Sequence, residues 1–283
     1  MNNTSNLKRK VQAYLPRLPA DLFKLVVAFI FVFPFYWMFV TSFKPYIETI
    51  QFPPTLWPQN FTLEAYTAIL GKMNLLSYAK NSVIITLSII VLQTVVMIPA
   101  AYAFAKYQFR GKNLMFTLVL IAFMIPGQIT FITVYILMAK WKLLGTLLPQ
   151  IIPFGANAFG IFLLRQSFMQ VPDEIIEAAE LDNASQLQIM TQIMLPMSKS
   201  TMITIALFSF VSHWNAYFWP LVMTDTEKVR PLTIAIERLK DVEYGINWNI
   251  LMAGNVLLVL PVLIVFFFAS RKIIESFAYR GVK

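Results

Sequence analysis

The chain has no cysteine and a single histidine, His213. Disulfides, thiolate metal sites and cysteine nucleophiles are therefore excluded. Charge is scarce too: Asp, Glu, Lys and Arg supply 13% of the residues, about half the share of an ordinary soluble domain. The long apolar runs contain no acidic residue, and Lys24 stands only at the edge of the first. Carriers driven by protons or sodium generally bury ionisable groups in the membrane to bind the coupling ion. That class is disfavoured, with backbone carbonyls the remaining route to a sodium site. A phosphate-cradling loop of the form G-x-x-x-x-G-K-[ST] is also missing. Gly71-Lys72 and Gly111-Lys112-Asn113 hold only fragments of it, so any ATP used must be bound by another chain.

What the chain has in plenty is apolar surface. Hydrophobic residues make up 58% of its 283 positions, with 25 Phe and 14 Met, and mean hydropathy is +0.65. A soluble domain must wet its outer face and could not hide this much; a bilayer accepts it. Six runs approach the roughly 20 residues needed to cross hydrocarbon. They lie near 22–42, 81–104, 114–138, 147–164, 200–222 and 250–270. An all-α polytopic membrane protein of about six transmembrane helices follows, read as one transmembrane domain over 1–283. The first run is too long for a signal peptide and no small-x-small cleavage site follows it.

The net charge of +9 could suggest nucleic acid in a soluble protein. Here the basic residues flank apolar runs, which is the positive-inside bias of membrane proteins. Lys106, Arg110 and Lys112 crowd one short loop, and Arg271 and Lys272 follow the last run. These place both termini in the cytoplasm, although Lys140 and Lys142 sit in a loop assigned outside. Pro34, Pro99, Pro126, Pro149, Pro153, Pro220 and Pro261 lie in or near the spans. Each removes a helical hydrogen bond, and such breaks persist in a membrane only where protein or trapped water satisfies the freed groups.

The cytoplasmic segment 171–199 is too polar to stay in the membrane yet reads as helical. Pro172 suits a first helical turn, and Asp173 and Glu174 favour a helix N-terminus. Ile175, Ile176, Ala178 and Ala179 give a small apolar face. Asn183 is a natural left-handed stop. Ser185 starts a second helix carrying Leu187, Met190, Ile193 and Met194, closed by Pro196. Two short helices at an angle form a docking knob, and adjacent Ala178 and Ala179 let another protein approach closely.

This segment resembles the EAA motif of binding-protein-dependent ABC importer permeases, E-A-A-x-x-D-G-A followed after about nine residues by I-x-L-P. The chain reads Glu177-Ala178-Ala179, Asp182, Asn183-Ala184 and Ile193-Met194-Leu195-Pro196. It departs where Asn183 replaces the usual Gly and where Ser200 replaces a usual Pro. Asn60 to Tyr66, Met124 to Gln128 and Trp214 to Leu221 extend the likeness over nearly the whole chain, toward carbohydrate-uptake permeases related to the MalG subunit of the maltose importer. The resemblance implies the type I permease fold. It also implies a second, homologous permease, two ATPase subunits carrying ATP and Mg, and a solute-binding protein outside; this chain itself would hold no cofactor. It makes Glu177, Ala178, Ala179, Asp182 and Asn183 the expected ATPase contact.

A sugar needs side-chain hydrogen bonds beside an aromatic face. Gln128, Thr133, Asn157, Trp214, Asn215 and Tyr217 are the path candidates, although in the maltose system much of the pocket belongs to the partner permease. Aromatics near a span's end also serve as an interfacial belt, and a buried Asn or His also serves helix packing. By resemblance, the polar outer segment 223–249 reaches the binding protein through Glu237, Lys240, Asp241 and Tyr244. Glycerol phosphate or a glycerophosphodiester is the alternative cargo. A phosphate calls for Arg or Lys on the path, and the spans offer none.

Overall fold

The computed structural model describes residues 18–240 and 246–278. Among them every regular element is helical. In chain order these are α1 (Leu18–Ser42), α2 (Tyr46–Thr49), α3 (Glu64–Lys72), α4 (Leu75–Lys106), α5 (Lys112–Met124), α6 (Gly127–Lys140), α7 (Ala158–Phe168) and α8 (Asp173–Leu181). There follow α9 (Gln186–Met197), then α10 (Lys199–Trp214), α11 (Phe218–Met223), α12 (Leu232–Glu237) and α13 (Trp248–Ala278).

Three helices are long and apolar enough to cross a membrane unbroken: Pro19–Ser42 within α1, all of α4, and Trp248–Ser270 within α13. The other runs are broken, and proline accounts for most of the breaks. The third, expected as one helix, bends by 96° between α5 and α6. Pro126 drives its preceding residue, Ile125, to ψ 119°, because the ring excludes the helical conformation there. The fourth begins as two 3₁₀ turns, Leu148–Gln150 and Ile152–Phe154, each with proline in its first turn. Its α-helix starts only after Asn157, whose side chain accepts from the Gly160 amide at 2.9 Å. The fifth stops at Trp214 and resumes as α11, so 200–222 is not one continuous helix.

Two compact units account for the chain: up to Lys72 with Leu239–Leu257, and Met73–Arg238 with the chain from Leu258 onward. In the first, Val40, Ala65, Ile69, Leu251 and Ala253 are buried. Lys44 is 1% exposed; it donates to the Thr55 carbonyl and lies 4.9 Å from the Trp37 ring centre. Burial holds its ammonium below the ordinary lysine value, and Glu48 partly offsets this. Glu48 accepts from the Thr55 hydroxyl at 2.6 Å and from the Gln59 amide at 3.0 Å.

In the second unit, α7 lies close against α4. A Cβ on Gly160 would sit 2.4 Å from the Met97 sulfur, so a larger residue there would force the buried Met97 side chain to shift; small residues serve close approach in membrane helix packing. Met97, Ala101, Phe104, Leu164, Phe168, Ile176, Ala179, Ile189, Met194 and Ile205 form one buried cluster. Segment 171–199 is thus joined to the membrane helices through a shared apolar core, not suspended on a linker.

Candidate functional site

The knob formed by segment 171–199 is built by local rules. Pro172 holds extended backbone just before α8, and Asp173 and Glu174 occupy the first turn. The helix ends as Asn183 turns left-handed at φ 58°. The Ala184 amide then donates to the Ala179 carbonyl and the Asn183 amide to the Glu180 carbonyl, both at 3.0 Å. This is the Schellman closure. The next helix opens with a reciprocal capping box: the Gln188 amide donates to the Ser185 hydroxyl at 3.3 Å, and the Ser185 amide donates to the Gln188 side chain at 2.8 Å. Its course continues through a π turn, Ile189–Met194, and runs one residue past Pro196 before an 81° bend into α10.

Glu177, Ala178, Asp182 and Asn183 are exposed. Ala179 is not. With Ile176, three positions earlier, it turns into the core of its own chain, because a helix this short can bury only one stripe. The expectation that both alanines face a partner is corrected to Ala178 alone. Leu187 likewise lies on the outer side, 65% exposed, while Ile189 and Met194 fill the core. The outward stripe of α8 is Glu174, Glu177, Ala178 and Leu181, and Leu181 is 84% exposed. The spacing of 4 from Glu177 and 3 from Ala178 could have revealed Leu181; it falls at an unspecified position of the motif and was missed.

The path candidates are not brought together. Gln128 and Thr133 are exposed on α6, and Asn215 and Tyr217 are exposed beyond α10. The Asn215 amide donates to the Val211 carbonyl at 2.8 Å. Trp214 is 4% exposed, and its indole N–H donates to the Leu258 carbonyl at 2.9 Å, so it ties α10 to α13 instead of facing a passage. Asn157 is likewise engaged: besides capping α7 it donates to Gln93 at 3.3 Å. Gln93 is the hub that sequence reasoning missed. It is 5% exposed, donates to the Phe154 carbonyl at 2.9 Å and accepts from the Ser209 hydroxyl at 2.8 Å. His213 lies 3.5 Å from its amide nitrogen. A lone Gln in an apolar run, which must find a partner in hydrocarbon, was the available signal.

In the polar segment 223–249, Glu227 accepts from Tyr78, Arg230 and Arg238. The Tyr78 hydrogen bond, then the two arginines, hold its carboxyl below the ordinary value against the opposing pull of burial. Leu232 to Ile236 are buried, and the Leu232 amide donates to Ser82 at 2.8 Å. The base of this segment is therefore a fixed part of the second unit. Glu237 is half-buried and Lys240 exposed; Asp241 and Tyr244 lie outside the described residues.

Kinked and interrupted apolar helices, together with a polar knob welded to their core, define a polytopic membrane permease. Residues 97–277 match the family described as "Binding-protein-dependent transport system inner membrane component", and the chain belongs to that family. It is 33% identical over 280 residues to the arabinooligosaccharides transport system permease protein AraQ of Halalkalibacterium halodurans, covering 98% of this chain and all of that protein. It is 29% identical to the diacetylchitobiose uptake system permease protein DasC of Streptomyces coelicolor, covering 91% of this chain and 94% of that one. It is 27% identical to the sn-glycerol-3-phosphate transport system permease protein UgpE of Brucella abortus, covering 94% and 97%. A solved bacterial ABC transporter for alginate import superposes with a TM-score of 0.80 at 24% identity, over 96% of this chain and 98% of that one. This fold is that of ABC importer permeases, and the chain is a transport subunit, not an enzyme.

Proposed function

We propose that this permease moves a sugar, a di- or oligosaccharide, into the cytoplasm by alternating access, paired with a second homologous permease. Two ATPase subunits carrying ATP and Mg dock on the cytoplasmic face, and a solute-binding protein docks outside. The observation that carries the cargo class is the 33% identity, over 98% of the chain, to an arabinooligosaccharide permease. Glu177, Ala178, Asp182 and Leu181 present the ATPase contact, supported by their exposure on a rigid knob. The exposed Gln128, Thr133, Asn215 and Tyr217 are the remaining path candidates. Glu237 to Tyr244 face the binding protein, and both termini are cytoplasmic.

The test is uptake by vesicles holding the assembled transporter with its own binding protein. Radiolabelled arabinotriose, diacetylchitobiose and glycerol 3-phosphate are offered separately. ATP-dependent entry of a saccharide is expected. Entry of glycerol 3-phosphate alone would favour the second reading, which the UgpE likeness keeps open.

A further inference from the structure

The knob is held on either side of α8 by the end of one membrane helix, although it is joined in sequence to others. At its beginning, the Lys106 ammonium donates to the Val171 carbonyl at 2.8 Å and to the Asp173 carboxylate at 2.7 Å. At the elbow where α9 begins, the Gln186 side-chain oxygen accepts from the Tyr102 hydroxyl at 2.8 Å and from the Tyr107 hydroxyl at 2.9 Å. The Gln186 amide group in turn donates to Glu180 at 3.1 Å. Tyr102 and Lys106 belong to the inner end of α4, and Tyr107 is the residue that caps it. Tyr102 also packs edge-on against Tyr107 and Phe168, which fixes the direction of its hydroxyl.

The chain's own connection onward to α10 is less regular. Toward α10 the segment passes through a π turn and the 81° bend, both places where the hydrogen-bond ladder is irregular. By contrast, α4 is a continuous helix of 32 residues. A displacement applied to α8 therefore meets α4 through two polar clasps as well as through the shared apolar core.

We infer that Gln186 and Lys106 are positioning residues that make α8 and α4 a single rigid body, so that α4 is the membrane helix which receives the ATPase stroke. This rests on the docking role proposed for α8. Gln186→Ala with Lys106→Met should leave the ATPase co-purifying and hydrolysing ATP. Solute imported per ATP hydrolysed should fall about fivefold or more, the usual lower bound of a coupling between sites.

The chain has no native cysteine, so the clasp can be rebuilt covalently. In Tyr107→Cys/Gln186→Cys the imported-per-ATP ratio should be low, and a short bis-methanethiosulfonate bridge should restore it. The monofunctional reagent should not. If bridging abolishes uptake that reductant then recovers, α8 must move relative to α4 and the inference is overturned; an unchanged ratio in all these variants overturns it equally. Failure of the docking role is read separately: Ala178→Arg would then leave both co-purification and uptake at the level of the unsubstituted chain.

Discussion

Asn183 sits in the left-handed region at φ 58°, where a side chain with a Cβ is crowded and glycine is not. Asn183→Gly should therefore keep or slightly raise the melting temperature in detergent. Asn183→Val should cost about 1–2 kcal/mol, the penalty for an ordinary residue in that conformation. A valine variant melting like the original chain would show that the elbow relaxes to another turn. Gln93 tests the interior. Gln93→Leu strands the Phe154 carbonyl and the Ser209 hydroxyl, and each unmade buried bond costs about 1–3 kcal/mol. Gln93→Glu retains acceptors for Ser209 and Asn157 but loses the donor to Phe154, so it should fall between the two. Glu48 adds a pH dependence outside the spans. Burial pushes its carboxyl up, but the bonds from Thr55, Gln59 and Asn60 and the Lys44 charge outweigh this and leave the value depressed. A depressed carboxylate stabilises the fold above its unfolded value and loses that contribution as pH falls through the folded one. Melting should therefore drop on acidification below the ordinary carboxylate range, and Glu48→Gln should flatten that part of the profile.

At the scale of single elements, much of α8 and α9 was legible. Acidic residues after Pro172, the Asn183 stop and the Ser185 start are local signals, and each appears where the side chain meets its own backbone. The core-facing side was less legible. Ala178 and Ala179 are chemically alike, and only the phase of the helix against Ile176 decides which of them a partner can touch. Ala178→Arg places its bulk on the exposed side, so membrane insertion and melting should be unchanged. Loss of a central close-packed contact typically costs about 2 kcal/mol or more, about thirtyfold in affinity, and ATPase pull-down should fall accordingly. Leu181→Ser should weaken the same pull-down. If pull-down and uptake both survive in Ala178→Arg, the contact lies elsewhere. The third to fifth spans were legible as apolar lengths but not as shapes. Pro126 marked the site of a break, yet whether a proline kinks a helix or turns it by 96° depends on what satisfies the freed carbonyls, which is tertiary information.

For the molecule as a whole, the distribution of charge and the placement of the knob make one topological claim. Lys106, Arg110 and Lys112 form the densest short basic loop, and Lys106 binds the knob directly. The side that carries the positive charge and the side that would receive the ATPase are therefore the same side by contact, independently of any counting of spans. That side should be the cytoplasm, because short basic loops are retained there during insertion. Single cysteines can be read without background in a chain that has none. Leu181→Cys is well placed because Leu181 is 84% exposed on the knob, and Phe52→Cys because Phe52 is 92% exposed in the segment that follows α1, which the sequence assigns outside. A membrane-impermeant maleimide should label Phe52→Cys in intact spheroplasts and should reach Leu181→Cys only in inverted vesicles. Labelling of both from outside would leave an even number of crossings between them and would remove the ATPase from the knob. Labelling of Leu181→Cys from outside alone would invert the chain, and with it the direction in which the knob could transmit force.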